Sequence, residues 1–186
     1  SIANEFATGK ELNPNDFEGG IGTSAFKLLK KEGFKIITKE QNIIETKENN
    51  QFIELIETFI NQSKTNNLKT STYNKKFRDL KVKVSFGKGR SARIPWVGLL
   101  KEPNTIPKGI YPVFLLFKEY NILVLAYGIS ETNKPEFKWS NIDLSNTIND
   151  WYLREYGKSP DRYGASYIKR IYDLEFGLDK EMIKQD

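Results

Sequence analysis

The 186-residue sequence contains no cysteine and no histidine. The first absence rules out disulfides, thiolate nucleophiles and cysteine-ligated zinc; the second removes the imidazole base and the commonest transition-metal ligand. Most familiar catalytic constellations cannot be built from such a chain. Long hydrophobic runs are missing as well. No stretch approaches the roughly 18 apolar residues of a membrane span, and the opening SIANEFATGK has neither the basic nor the apolar region of a secretory signal. A cytoplasmic location and no membrane partner are expected. Neither GxxxxGK[ST] nor a strand–GxGxxG–helix fingerprint occurs, so no nucleotide or other cofactor is expected. The chain does not open on methionine and closes on the charged, helix-forming LDKEMIKQD, as expected of a segment of a longer protein.

What is present is ample for a core: 38% hydrophobic and 13% aromatic residues. The length suits one well-packed domain, or one domain with an appendage. Charge is unevenly spread. Between Lys64 and Arg93 ten basic residues face one acid, Asp79, giving +9, while the whole chain carries only +5. The remainder is therefore acidic by four charges, and basicity confined to one window implies a face that meets a polyanion.

Residues 1–48 read as a small appendage and 49–186 as the main domain. In the appendage a polar loop, ELNPNDFEGGIG, leads to a short helix AFKLLKKE, capped by Thr23 or Ser24 and ended by Gly33. FKIITKE and NIIETK then read as two short strands. From Asn50 the spacing turns helical, with Phe52, Leu55, Ile56, Phe59 and Ile60 on one face as far as Ser63. Strands are predicted at about 80–86, 93–100, 110–117 and 123–129. Two of them, VFLLF and ILVLA, are continuous apolar runs of the kind found in strands covered on both faces. A helix capped by Asp143 or Ser145 and ended by Gly157, a strand in SYIKRIYDLE and a short terminal helix complete the pattern. The fold class is α+β, with a mixed, curved sheet flanked by helices.

The loop FGKGRSARIPW carries the chemistry. Gly87 and Gly89 permit positive φ and close backbone approach, while Lys88, Arg90 and Arg93 bring charge to the tip. Two readings stay open on spacing alone: a hairpin that contacts phosphate, and a sheet edge kept soluble by charge. Most of the aromatics are expected to be core. Trp96 and Tyr111 differ, because Pro95 and Pro112 beside them mark bends at strand entrances that can turn a ring toward a cavity. Loose matches to a metal-nuclease pattern, Asp16 with Glu45 and Lys47, or Glu136 with Lys138, arise readily in a chain this rich in Glu and Lys.

Taken in order, LKVKVSFGKG, IPW, GIYPV with its apolar continuation, LVLAYGISETN followed by Pro135 and Trp139, and RYGASY resemble the N-terminal DNA-binding domain of McrB-type modification-dependent restriction proteins. The resemblance covers roughly residues 51–167. It implies a non-catalytic reader that binds double-stranded DNA carrying methylated cytosine and turns the modified base out into a pocket. A separate AAA+ GTPase module and a partner nuclease would do the cutting. Carried over by position, Trp96, Tyr111 and Leu115 line the base pocket; Tyr111 and Leu115 lie four apart on one strand and so share a face. Lys88, Arg90 and Arg93 become groove or intercalation-loop contacts. Lys75, Lys76, Arg78, Lys81 and Lys83 become phosphate contacts. The chain departs from the family pattern at Lys88, where the well-studied member has an aromatic residue that fills the space left by the flipped base. A lysine stem can fill part of that space, Arg90 can replace it, or the extrusion geometry differs. Competing readings are a reader of modified or single-stranded RNA, a magnesium-dependent nuclease segment and a protein-docking module.

Overall fold

A computed structural model describes residues 23–33, 39–140, 142–143 and 145–186. The loop ELNPNDFEGGIG and most of the expected strand FKIITKE lie outside them, as does Asp16. The chain divides into two compact units, Ser1–Lys47 and Glu48–Asp186. Among the described residues there are four helices, α1 (Ser24–Lys31), α2 (Lys39–Ser63), α3 (Ile148–Tyr156) and α4 (Lys180–Gln185). The six strands are β1 (Lys76–Phe77), β2 (Leu80–Ser85), β3 (Trp96–Leu100), β4 (Ile110–Phe117), β5 (Ile122–Ile129) and β6 (Tyr167–Asp173). None of the helices is long and apolar enough to cross a membrane.

The strands form one sheet in chain order, β1 to β6, and every neighbouring pair is antiparallel. The α+β class holds, but the sheet is not mixed. Continuous apolar runs such as VFLLF report burial on two faces; they carry no information about strand sense. Alternation along β4 and β5 divides the core accordingly. Phe114, Leu116, Leu123 and Leu125 pack on one face under Phe52, Ile56 and Phe59 of α2 and Ile183 of α4. Tyr111, Val113, Leu115, Phe117 and Val124 pack on the other face under Ile148, Trp151 and Tyr152 of α3.

Two local expectations are corrected. NIIETK is helical, not a strand: no glycine or proline interrupts 39–63, so the helix set by the apolar face at Phe52–Ile60 extends back through these residues. Ile43 and Ile44 remain exposed, at 62% and 58%, as an adjacent pair on a helix with no buried stripe there. Helix α3 is capped by Thr147, not by Asp143 or Ser145; the Thr147 hydroxyl accepts from the Asp150 N–H, and Gly157 closes the helix with φ of 66°.

Candidate nucleic-acid interface

The connection from β2 to β3 folds back tightly. The Ala92 N–H donates to the Phe86 carbonyl at 2.7 Å and the Gly87 N–H to Ser85 Oγ at 3.3 Å. Gly87 has φ of 111°, and a Cβ there would stand 2.2 Å from the Arg90 carbonyl oxygen, so only glycine fits. The base of the loop is tied to the sheet by the Leu116 N–H donating to the Pro95 carbonyl at 2.9 Å, and by Lys118 Nζ donating to Ser91 Oγ at 3.0 Å. Lys88 and Arg90 project from this braced loop, exposed and without an ion pair among the described residues.

Beside the loop, on the α3 face of the sheet, lies a cleft of about 710 Å³. Its walls include Lys88, Arg90, Arg93, Trp96 and Tyr111, which the sequence picks out, together with Glu131, Arg162 and Tyr163. Sheet register explains the floor. Trp96 pairs with Leu115 and Gly98 with Val113, while Tyr111 pairs with Gly128, so all six lie on one face. Two of them are glycines: Gly128 lines the cleft, whereas Gly98 lies beside it. A Cβ on Gly98 would lie 3.6 Å from both the Trp96 and the Tyr111 ring and 3.3 Å from Ile106 Cδ1, so the two aromatics pack closely over Gly98.

Leu115 does not line the cleft. Cross-strand from Trp96 on the same face, it is completely buried in the apolar cluster under α3. Alternation places it on the correct face but says nothing about depth. Tyr111 is 8% exposed and its hydroxyl donates to the Ile106 carbonyl at 3.2 Å. Burial, with the nearby Tyr163 and Glu131, pushes its pKa up to about 12, so it remains a neutral donor at physiological pH.

Residues far apart in sequence close the other side. Tyr163 holds a left-handed backbone, φ 69°, and its N–H donates to Glu131 Oε1. Arg162 Nε donates to Glu131 Oε2 at 3.0 Å, and its guanidinium sits 5.0 Å from the centre of the Tyr163 ring. A non-glycine residue held in this conformation next to a cleft is the kind of strain found at binding sites. The matching segments, ETN and RYG, belong to the family resemblance, but nothing in their spacing shows that they meet.

Arg93 differs from its loop neighbours. It pairs with Asp161, and with Glu119 at 3.3 Å, and Glu119 also pairs with Lys158 at 3.4 Å. Desolvation works against ionisation of Glu119, but hydrogen bonds from Lys158, Tyr120 and Arg93 prevail and hold its carboxyl below the usual range. Arg93 thus braces the loop against the 158–161 turn, its charge largely compensated. Arg78 is similarly engaged, donating to Asn49 Oδ1 at 2.9 Å and lying 3.7 Å from Glu48.

The expected phosphate contacts fall into an ordered row. Lys76 pairs with Lys81, Lys81 with Leu100 and Lys83 with Gly98, so these three lysines stand on the cleft face, exposed. Lys75 is exposed just before β1. Of the nuclease-like matches, Glu45 and Lys47 lie on helix α2 and Glu136 pairs with Lys108; among the described residues no three Asp, Glu, His or Cys side chains converge on a possible metal position.

The antiparallel sheet with its glycine-floored, aromatic-walled cleft accompanies a clear family match. The family described as MrcB-like, N-terminal domain matches residues 37–155, and the chain belongs to it. A particular relative is the Type IV methyl-directed restriction enzyme EcoKMcrB subunit of Escherichia coli (strain K12), 40% identical over 126 residues, which is 67% of this chain. The match spans 28% of that protein's length.

Proposed function

We propose that this domain reads modified double-stranded DNA. It draws a 5-methylcytosine-type base out of the duplex into the cleft beside the β2–β3 loop and targets a restriction activity that resides elsewhere. The observation that supports this best is the juxtaposition on one sheet face: a cleft flanked by Trp96 and Tyr111, next to Lys88 and Arg90 and continuous with Lys76, Lys81 and Lys83. Unstacking a base costs a few kcal/mol, and stacking against aromatic walls, worth roughly 1–3 kcal/mol per base, offsets it. The loop cations would enter the groove as the base leaves; Arg90, rigidly presented and planar, is better suited than Lys88 to lie against the bases that remain.

In this reading the domain itself is non-catalytic. A nucleotide-driven AAA+ module and a nuclease would supply cutting in the cytoplasm, where the DNA is. The relative's description as a methyl-directed restriction enzyme subunit agrees with it. A reader of extruded bases in RNA could use the same kind of cleft.

Trp96→Ala tests the assignment. It should abolish the preference for a duplex with one 5-methylcytosine over its unmodified counterpart while leaving weak, salt-sensitive binding to both. Equal losses on the two duplexes, or tighter binding to RNA of the same length, would contradict it.

A further inference from the structure

Two pyrimidines that carry a methyl group at C5 differ along a single edge. 5-Methylcytosine presents an amino donor at C4 beside an unprotonated ring nitrogen; thymine presents a carbonyl acceptor there beside an N–H. Aromatic walls and a fitted methyl contact measure shape and stacking, which the two bases share. Separating them requires an acceptor and a donor side by side, aimed at that edge. This requirement rests on the reading of the cleft as a base pocket.

Glu131 and Arg162 provide such a pair. An ionised carboxylate accepts only and a guanidinium donates only. They are locked together through Arg162 Nε and Glu131 Oε2 at 3.0 Å, and Glu131 is further fixed by the Tyr163 N–H. Each carboxylate oxygen keeps a second acceptor position. The terminal nitrogens of Arg162 make no hydrogen bond among the described residues. The Glu131 side chain is 29% exposed, and both residues line the cleft beside Tyr163. The other carboxylate of the cleft wall, Asp161, is occupied by Arg93.

We propose that Glu131, held by Arg162, is the specificity-determining residue that reads the amino edge of the extruded base. Its carboxylate accepts from the exocyclic amino group, and the Arg162 guanidinium donates to the adjacent ring nitrogen. Thymine reverses both polarities and is rejected. Adenine shares the polarity of cytosine on this edge, so the pair separates cytosine from thymine and not from adenine.

Competition binding with duplexes that differ only at the target, 5-methylcytosine opposite guanine or thymine opposite guanine, tests the inference. The mismatch favours extrusion of thymine, so a preference for 5-methylcytosine arises against that bias. The native chain should prefer 5-methylcytosine by roughly tenfold or more. Glu131→Gln can still accept the Tyr163 N–H but offers a donor to the base, so the ratio should fall toward one. Arg162→Lys, which keeps the charge and loses the planar fork, should lower the same ratio should Glu131→Gln not fold. A 2-aminopurine next to the target reports extrusion. Extrusion by the native chain with an unchanged ratio in both variants overturns the role of Glu131 and leaves the pocket standing; no extrusion by the native chain overturns both.

Discussion

Gly98 lets the Trp96 and Tyr111 rings of the cleft wall pack closely over β3. An alanine there would put a methyl group 3.3 Å from Ile106 Cδ1 and in van der Waals contact with the Trp96 and Tyr111 rings. Only the end of a flexible side chain is crowded, so the fold should tolerate it. Gly98→Ala is therefore expected to leave the melting temperature within a few degrees of native while weakening binding to methylated DNA about tenfold or more, as titration of a fluorescent duplex would register. Gly128 is a different case. A Cβ there meets the Tyr111 carbonyl at 2.7 Å and Val113 Cγ1 at 2.8 Å, so its absence of a side chain serves the packing of β4 against β5. A methyl group on the ligand contributes only about 0.8 kcal/mol by burial, which is why single-atom fits such as that at Gly98 carry weight in discrimination.

At the scale of elements, the proposed function divides selection and attraction between the β2–β3 hairpin and strand β2. Lys81, across from Leu100, and Lys83, across from Gly98, stand on the cleft face but are not part of the cleft's lining. Their replacement by alanine should reduce affinity for methylated and plain duplexes alike. The dependence of log K on log salt should flatten by about one to two, near 0.9 for each phosphate that is no longer neutralised. A selective loss on methylated DNA would place them in the pocket instead. Strands β2 to β6 are readable from the sequence because glycine and proline punctuate them and their apolar runs are long. Helix α2 is legible only from Phe52, where buried residues recur at helical spacing; the paired Ile43 and Ile44 imitate a strand because they serve no buried stripe. The same contrast holds in the site. Trp96, Tyr111 and the GxG loop announce themselves locally, whereas Glu131 lies 31 and 32 residues from Arg162 and Tyr163 and meets them only in the folded chain. Depth is equally invisible to a period of two: alternation gives Leu115 the face of Trp96 and Tyr111 but not its burial under α3.

For the molecule as a whole, the two faces of one sheet have separate tasks. The face under α2 and α4 holds one apolar cluster, and the face under α3 is packed by Trp151 and Tyr152 and also carries the cleft and the lysine row. A net charge of only +5, with +9 gathered in one window, gives the molecule a polarity suited to approaching a duplex in one orientation. The measurement that tests the proposed function most directly is equilibrium binding, at one fixed salt concentration, to duplexes carrying 5-methylcytosine, 5-hydroxymethylcytosine, N4-methylcytosine, N6-methyladenine or no modification, each with 2-aminopurine beside the target. The account predicts tightest binding and a clear fluorescence rise for a modified cytosine, 5-methylcytosine foremost; equal affinity across the panel with no rise for any duplex would contradict it.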